Sequence, residues 1–254
     1  VTNIYPEARP AFDGQPLPTP QRALTIGAHP DDAEFGAGGT LARWAAEGCE
    51  VSMLVVTDGS KGTWEPDLSP TELVEMRRRE QRQAADRLGA RGEVVMLGYP
   101  DGELEYSMAL REQLCLWIRR LRPEVVLAHD PWKRYMLHPD HRVTGLAAVD
   151  GVVAARDHLF FPHQLAEGLA KHRPTALLLW SADEPDYWED ISATFPIKVE
   201  ALLCHSSQVS TTMGDATSSG EQRAAFEARM REWGARLGSP VGLPLAESFK
   251  LLRP

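Results

Sequence analysis

Ala28-His29-Pro30-Asp31-Asp32-Ala33-Glu34 closes a short apolar run (Leu24, Ile26, Ala28) and opens a glycine-rich segment, Gly36-Ala37-Gly38-Gly39. That order reads as the turn from a first strand into a helix. In an open α/β sheet, ligands lie outside the carboxyl ends of the strands, so polar side chains in this turn point into the expected site. Neutral imidazole and carboxylate oxygen are ordinary zinc ligands, and a catalytic zinc keeps three protein ligands and a fourth position for water. Pro30 stiffens the turn, letting His29 and Asp32 converge on one ion while Asp31 turns toward the water. A helix-capping carboxylate beside a packed histidine explains the same residues. A third ligand elsewhere decides between the two.

His138-Pro139-Asp140-His141 supplies it. An apolar run (Val125, Val126, Leu127, Ala128) precedes it and a periodic apolar segment (Val143, Leu146, Ala147, Val149, Val152, Val153) follows. Both His-Pro-Asp clusters are therefore expected in strand-to-helix loops on one edge of a mostly parallel sheet, in a Rossmann-like α/β fold with flanking helices.

The neighbouring stretches fit that frame. Phe35 to Gly48 reads as a helix, and Val51 to Val56 as a strand buried on both faces. The loop Thr57 to Trp64 only loosely resembles a phosphate-binding loop, because the spacing G-x-x-x-x-G-K-[ST] is absent. Ser69, Pro70 and Glu72 form a capping box opening a helix. On its expected buried face, Leu73, Ala84 and Leu88 are joined by Arg77 and Glu80, spaced to pair with each other. Arg77 also lies toward the active-site edge, where it is a candidate substrate-binding residue.

Val94 to Leu97 is a third expected strand, and Pro100-Asp101-Gly102 puts Asp101 on the same edge as a second substrate-binding candidate. Ser107 caps a helix ended by Arg122-Pro123. Beyond Arg156 the pattern predicts a strand over 175–180, a further strand beginning near Ile191, a helix over 198–205, a mobile lid over 206–220, a helix over 221–237 and a last strand over 248–252.

The 254 residues form one expected domain, 22–254, behind a proline-rich arm, 1–21. A formal charge of −9 argues against nucleic acid as a partner. With no apolar run of the ~18 residues that span a bilayer, the expected compartment is the cytoplasm. Cys49, Cys115 and Cys204 read as small buried hydrophobes. The sequence is compatible with a homo-oligomer.

Ala-His-Pro-Asp-Asp-x-Glu at 28–34, Arg77-x-x-Glu80, Pro-Asp-Gly at 100–102, His-Pro-Asp-His at 138–141 and Lys198-x-x-Ala201-Leu202-x-x-His205-x-Ser207-Gln208 together resemble the PIG-L (LmbE-like) zinc deacetylases. The resemblance spans about residues 22–210. It implies hydrolysis of an N-acetyl group from an amino sugar or a sugar-containing small molecule. It also implies His29, Asp32 and His141 as ligands of zinc, or of another divalent transition metal. Asp31 would then be the general base, His138 a general acid or oxyanion partner, and His205 a supporting residue near the site. Zinc of this kind brings the pKa of its water to about 7 and polarises the amide carbonyl. Some members carry a tyrosine two residues before the His138 position. Here that position is Met136, with Tyr135 adjacent, and the role is not carried over. Two other readings are an amidase acting on a larger or thiol-conjugated sugar derivative, and a non-catalytic nucleotide-binding module supported by Gly36 to Gly39. The remaining histidines, His129 among them, carry no motif and read as structural or exposed.

Overall fold

The computed structural model describes residues 15–213 and 219–254. Parallel strands β1 (Arg22–Gly27), β2 (Glu50–Thr57), β3 (Val94–Tyr99), β4 (Val125–His129) and β5 (Ala176–Trp180) are joined by helices α1 (Asp32–Ala46), α2 (Pro70–Leu88), α3 (Met108–Leu121), α4 (Pro139–Arg156) and the short α5 (Pro162–Ala166). Then follow β6 (Tyr187–Asp190), α6 (Phe195–Leu202), α7 (Gly220–Gly238) and β7 (Ala246–Leu252). The sheet order is β3-β2-β1-β4-β5-β7-β6, with β7 antiparallel to both its neighbours. The chain lays down β1, β2 and β3 in one direction and returns to place β4 on the other side of β1. The crevice above β1 and β4 is thus the switch point at which such sheets bind ligands.

Alternate residues of each central strand enter opposite cores, as strand geometry requires. Ala23, Val51, Met53, Val125 and Leu127 pack with Leu41 and Trp44 of α1 and with Ala84 and Leu88 of α2. On the other face, Leu24, Ile26, Leu54 and Val126 pack with Leu110, Leu114 and Ile118 of α3 and with Ala147 and Val152 of α4. The capping box at Ser69 is formed as expected.

Gly36, Gly38 and Gly39 lie inside α1, where a Cβ would meet the Trp180 ring at 2.6 Å, Lys198 Cγ at 3.1 Å and Ile191 Cβ at 2.6 Å. Close helix packing therefore accounts for the glycine run that suggested a nucleotide site.

Two expectations change. The strand expected to begin near Ile191 ends just before it: β6 is drawn from the acidic aromatic stretch. Glu189 is 1% exposed there, held by Arg43 at 2.8 Å and by the Tyr187 hydroxyl. Arg77 and Glu80 do not pair. Glu80 instead accepts from Ser206 Oγ, Ser207 N and Ser207 Oγ at 2.6–2.8 Å, which fastens 206–208 to α2. The expected lid continues as a π-helical turn, Val209–Met213, Ser219 and Gly220 at its far end open α7, and the part between, 214–218, lies outside the described residues. So does most of the proline-rich arm, 1–14. Its last part, 15–21, has no helix or strand and is tied down where Leu17 N donates to the Tyr187 hydroxyl at 2.7 Å. Among the described residues no helix is long and apolar enough to cross a membrane.

Arg119 of α3 is 1% exposed and donates to the carbonyl oxygens of Ala154, Ala155, Asp157, Phe160 and Phe161 and to Gln164 Oε1, at 2.7–3.3 Å. Its charge meets the negative end of the α4 dipole. Arg119→Met strands several buried acceptors at once and is expected to cost about 3 kcal/mol in urea unfolding. A loss under about 1 kcal/mol would show that those carbonyls reach water instead.

Candidate metal centre and catalytic cleft

The loops after β1 and β4 face each other across the switch point, and the two His-Pro-Asp clusters meet there. His29 Nδ1 lies 3.1 Å from His141 Nε2; Asp32 Oδ1 lies 3.3 Å from His141 Nε2, and Asp32 Oδ2 3.5 Å from His29 Nδ1. Donors bound tetrahedrally at 2.0–2.1 Å stand ~3.3 Å apart, a spacing that His29 Nδ1 and Asp32 Oδ1 each keep from His141 Nε2, whereas the approach of Asp32 to His29 is made by its other oxygen, Oδ2. The tautomer of His29 suits a cation as well. Its Nε2 is 3.1 Å from both Asp140 Oδ2 and Asp101 Oδ1, which place the proton there and leave the Nδ1 lone pair for a cation. Asp140 is fixed in turn by the backbone N–H groups of Gly102 and Leu104. Burial opposes charge on His29, but the hydrogen bonds to Asp101, Asp140 and Asp32 outweigh it and raise its pKa well above the ordinary range. The pocket thus attracts positive charge.

The two carboxylates of the turn are driven apart. Burial pushes Asp31 up to about 6 against the pull of Arg77. For Asp32, burial is outweighed by His129 and His141, and its carboxyl stays well below the usual range. Neighbouring acids split in this way take different roles, one as a permanent anion and the other as a proton acceptor.

Asp31 is also held in a backbone conformation that side chains rarely adopt, φ 101°, which costs on the order of 1–3 kcal/mol. Its N–H donates to Gln81 Oε1 at 3.2 Å, and Gln81 Nε2 donates to Glu34 at 2.7 Å. Glu34 stands 3.6 Å from Nε2 of His205, which is fully buried. His205 thus stands behind Glu34, which Gln81 links to the turn. Arg77 Nη2 donates to Pro30 O at 2.6 Å and lies 3.5 Å from Asp31 Oδ2, while Nη1 donates to Gly59 O. A Cβ on Gly59 or Gly62 would collide with that guanidinium, which explains both glycines of the loop after β2.

His138 is the N-cap residue of α4, its ring 4.5 Å from His29 and 4.7 Å from His141, with Nδ1 buried and unbonded. Burial, with those two imidazoles, holds its pKa below the ordinary range.

Sequence reasoning placed the two clusters correctly but missed His129, Trp180 and Gln81. His129 is 3% exposed, and its Nε2 lies 3.0 Å from Asp32 Oδ2. Its place at the end of β4 was the one available signal. His29, Asp31, Asp32, His138 and His141 open, with His129, on a cleft of about 710 Å³, whose wall also includes Phe35, Trp64, Arg77, Asp101, Thr211 and Trp233.

Comparison with known proteins yields four findings. The family model described as PIG-L, GlcNAc-PI de-N-acetylase, matches residues 24–152. A diacetylchitobiose deacetylase of Thermococcus kodakarensis is 35% identical over 194 residues, covering 76% of this chain and 72% of that protein. The structure of N,N'-diacetylchitobiose deacetylase from Pyrococcus horikoshii, complexed with its inhibitor MPG, superposes with a TM-score of 0.83 at 31% identity, over 92% of this chain and 84% of that one. The fold itself extends further: the 4-carboxy-2-hydroxymuconate hydratase GalB from Pseudomonas putida KT2440 superposes at 0.73 with 21% identity, covering 92% of this chain and 97% of its own.

Proposed function

The chain belongs to the PIG-L family, and from that premise we propose that it is a divalent-cation-dependent hydrolase removing the N-acetyl group from an N-acetylated amino sugar or a glycoside of one. The observation that carries this reading is the convergence of His29 Nδ1, His141 Nε2 and the Asp32 carboxylate, one oxygen toward each histidine, beside a second, differently poised carboxylate, Asp31. Imidazole and carboxylate donors of this number suit zinc. When bound, the cation acidifies water and polarises the acetamide carbonyl.

The chain's own residues supply the remainder. Asp31, steadied by Arg77, takes the proton of the attacking water, and with a pKa near 6 it is able to return that proton to the leaving amine. His138 stands across the cluster as a neutral imidazole, a state that suits a hydrogen-bond donor to the developing oxyanion, a role typically worth a few kcal/mol. Arg77 and Asp101 line the cleft beside these groups, where a sugar hydroxyl comes within their reach.

The test is acetate release from N-acetylglucosamine and from N,N'-diacetylchitobiose, with cation content read by plasma mass spectrometry. Roughly one zinc per chain together with acetate supports the proposal. Release of a bulkier acid from a conjugated substrate, without acetate, would instead support the amidase alternative. A chain that stays cation-free when zinc is supplied overturns the reading.

Trp64 stands 74% exposed on the rim of the cleft, where an aromatic face suits a second sugar ring. Trp64→Ala is expected to raise KM for the disaccharide about tenfold with kcat little changed, because stacking is felt equally in ground and transition states. An equal rise for the monosaccharide would place Trp64 against the reacting sugar instead.

A further inference from the structure

β4 and β5 are parallel neighbours in register, with His129 directly opposite Trp180 at their carboxyl ends. Trp180 Nε1–H donates to His129 Nδ1 at 3.0 Å. An indole N–H can only donate, so Nδ1 must offer its lone pair, and the neutral imidazole then carries its proton on Nε2. That nitrogen faces Asp32 Oδ2 at 3.0 Å. The Ala28 N–H lies 3.4 Å from the same nitrogen, but an Nε2 that holds a proton has no lone pair to receive it.

Asp32 Oδ2 also accepts the backbone N–H of His29 at 2.7 Å. Two donors therefore occupy Oδ2, which also lies 3.5 Å from His29 Nδ1, while Oδ1 faces His141 Nε2 at 3.3 Å. The pair has little room to shift. His129 and Trp180 are 3% and 2% exposed, and the His129 ring stacks on His141 at 4.3 Å with 16° between planes. Gly36, in the helix that begins with Asp32, sits against the indole so closely that a Cβ would stand 2.6 Å from it.

We infer that Trp180 and His129 are positioning residues for the cation site: the indole selects the His129 tautomer, and His129 holds Asp32 so that a single oxygen, Oδ1, is presented. His129 lies with Asp32 and His141 in a cluster whose donor atoms fall within 4.8 Å of one another. Its committed nitrogens make it a support and not a ligand. The inference rests on the reading of Asp32 as a ligand.

The experiment combines zinc affinity, by chelator competition on the full chain, with 15N imidazole NMR of His129. In the wild type, His129 is expected as the Nε2–H tautomer both zinc-free and zinc-loaded. His129→Leu is expected to weaken zinc binding about tenfold or more, the usual effect of removing such a support. His129→Gln keeps an acceptor for the indole and a donor for Asp32, and should stay within about threefold of wild type. Trp180→Phe should admix the other His129 tautomer.

Wild-type affinity in the leucine variant, or a glutamine variant no better than leucine, overturns the inference. Loss of the Nε2 proton on zinc loading overturns it too, by making His129 a ligand. Asp32→Ala separates the two levels: undiminished zinc binding there removes Asp32 from the ligand set, whereas weakened binding there with wild-type binding in His129→Leu removes only the positioning role. If the leucine variant does not fold, the glutamine variant and the wild-type spectrum still decide.

Discussion

Asp31→Asn is expected to lower kcat for deacetylation by about 10²–10⁴ while zinc content stays at the wild-type level. Asparagine preserves the shape of the side chain, and Asp31 makes none of the contacts that bring His29, Asp32 and His141 together. What disappears is the proton acceptor.

The pH profile identifies it independently. A base that burial holds at about 6 is protonated below that pH, so wild-type kcat/KM should rise with pH through an acid limb and level off above it. The charge of a bound cation moves the limb lower, placing it at or below pH 6. In the asparagine variant the residual rate should lose that limb. A variant that keeps both the limb and most of its rate would assign the base elsewhere, with His138 the nearest alternative.

The second large effect is expected from Asp32→Ala: zinc is lost, and acetate release falls to background with it. The carboxylate offers an oxygen to the cation site and accepts from both the His29 N–H and His129 Nε2. Its removal takes away a proposed ligand and leaves two buried donors without an acceptor, at roughly 1–3 kcal/mol each. The protein should therefore also unfold at lower urea. Chelation of the wild type should reproduce the loss of activity, reversed when zinc is restored, which separates the chemical from the structural consequence. Activity that survives exhaustive chelation would argue for chemistry without a cation.

Much of this site was legible because its chemistry is compressed into short segments. His29, Asp31 and Asp32 lie within four residues, His138 and His141 within another four, and each group follows an apolar run that reads as a strand. The residues that steady them were not legible for the opposite reason. His129 and Trp180 are 51 residues apart and meet only because β4 and β5 pair in register. Gln81 shares the buried face of α2 with Arg77, yet its partner is the backbone of Asp31, 50 residues earlier.

Arg77 and Glu80 show the limit of local spacing. They stand at the right interval to pair, but each is claimed by a loop brought in from elsewhere, 57–62 for the one and 206–208 for the other. β6 was missed because one of its two inward residues is a glutamate, Glu189, whose burial depends on Arg43 in α1 and breaks the apolar alternation by which strands are read.

The pairing of β5 with β4 also ties metal retention to a late segment of the chain. The three expected zinc ligands have all entered the chain by His141, but Trp180 comes 39 residues later, after α4, α5 and the crossover into β5. The His129–Trp180 contact requires the chain between β4 and β5 to close, just as the meeting of His29 with His141 requires the longer chain between β1 and α4 to close. Wherever β5 is undocked, His29, Asp32 and His141 are present but Asp32 is free to swing, and a cation captured there should exchange quickly. Slow zinc exchange should appear only when β5 docks, so that tight retention of the metal reports completion of the sheet.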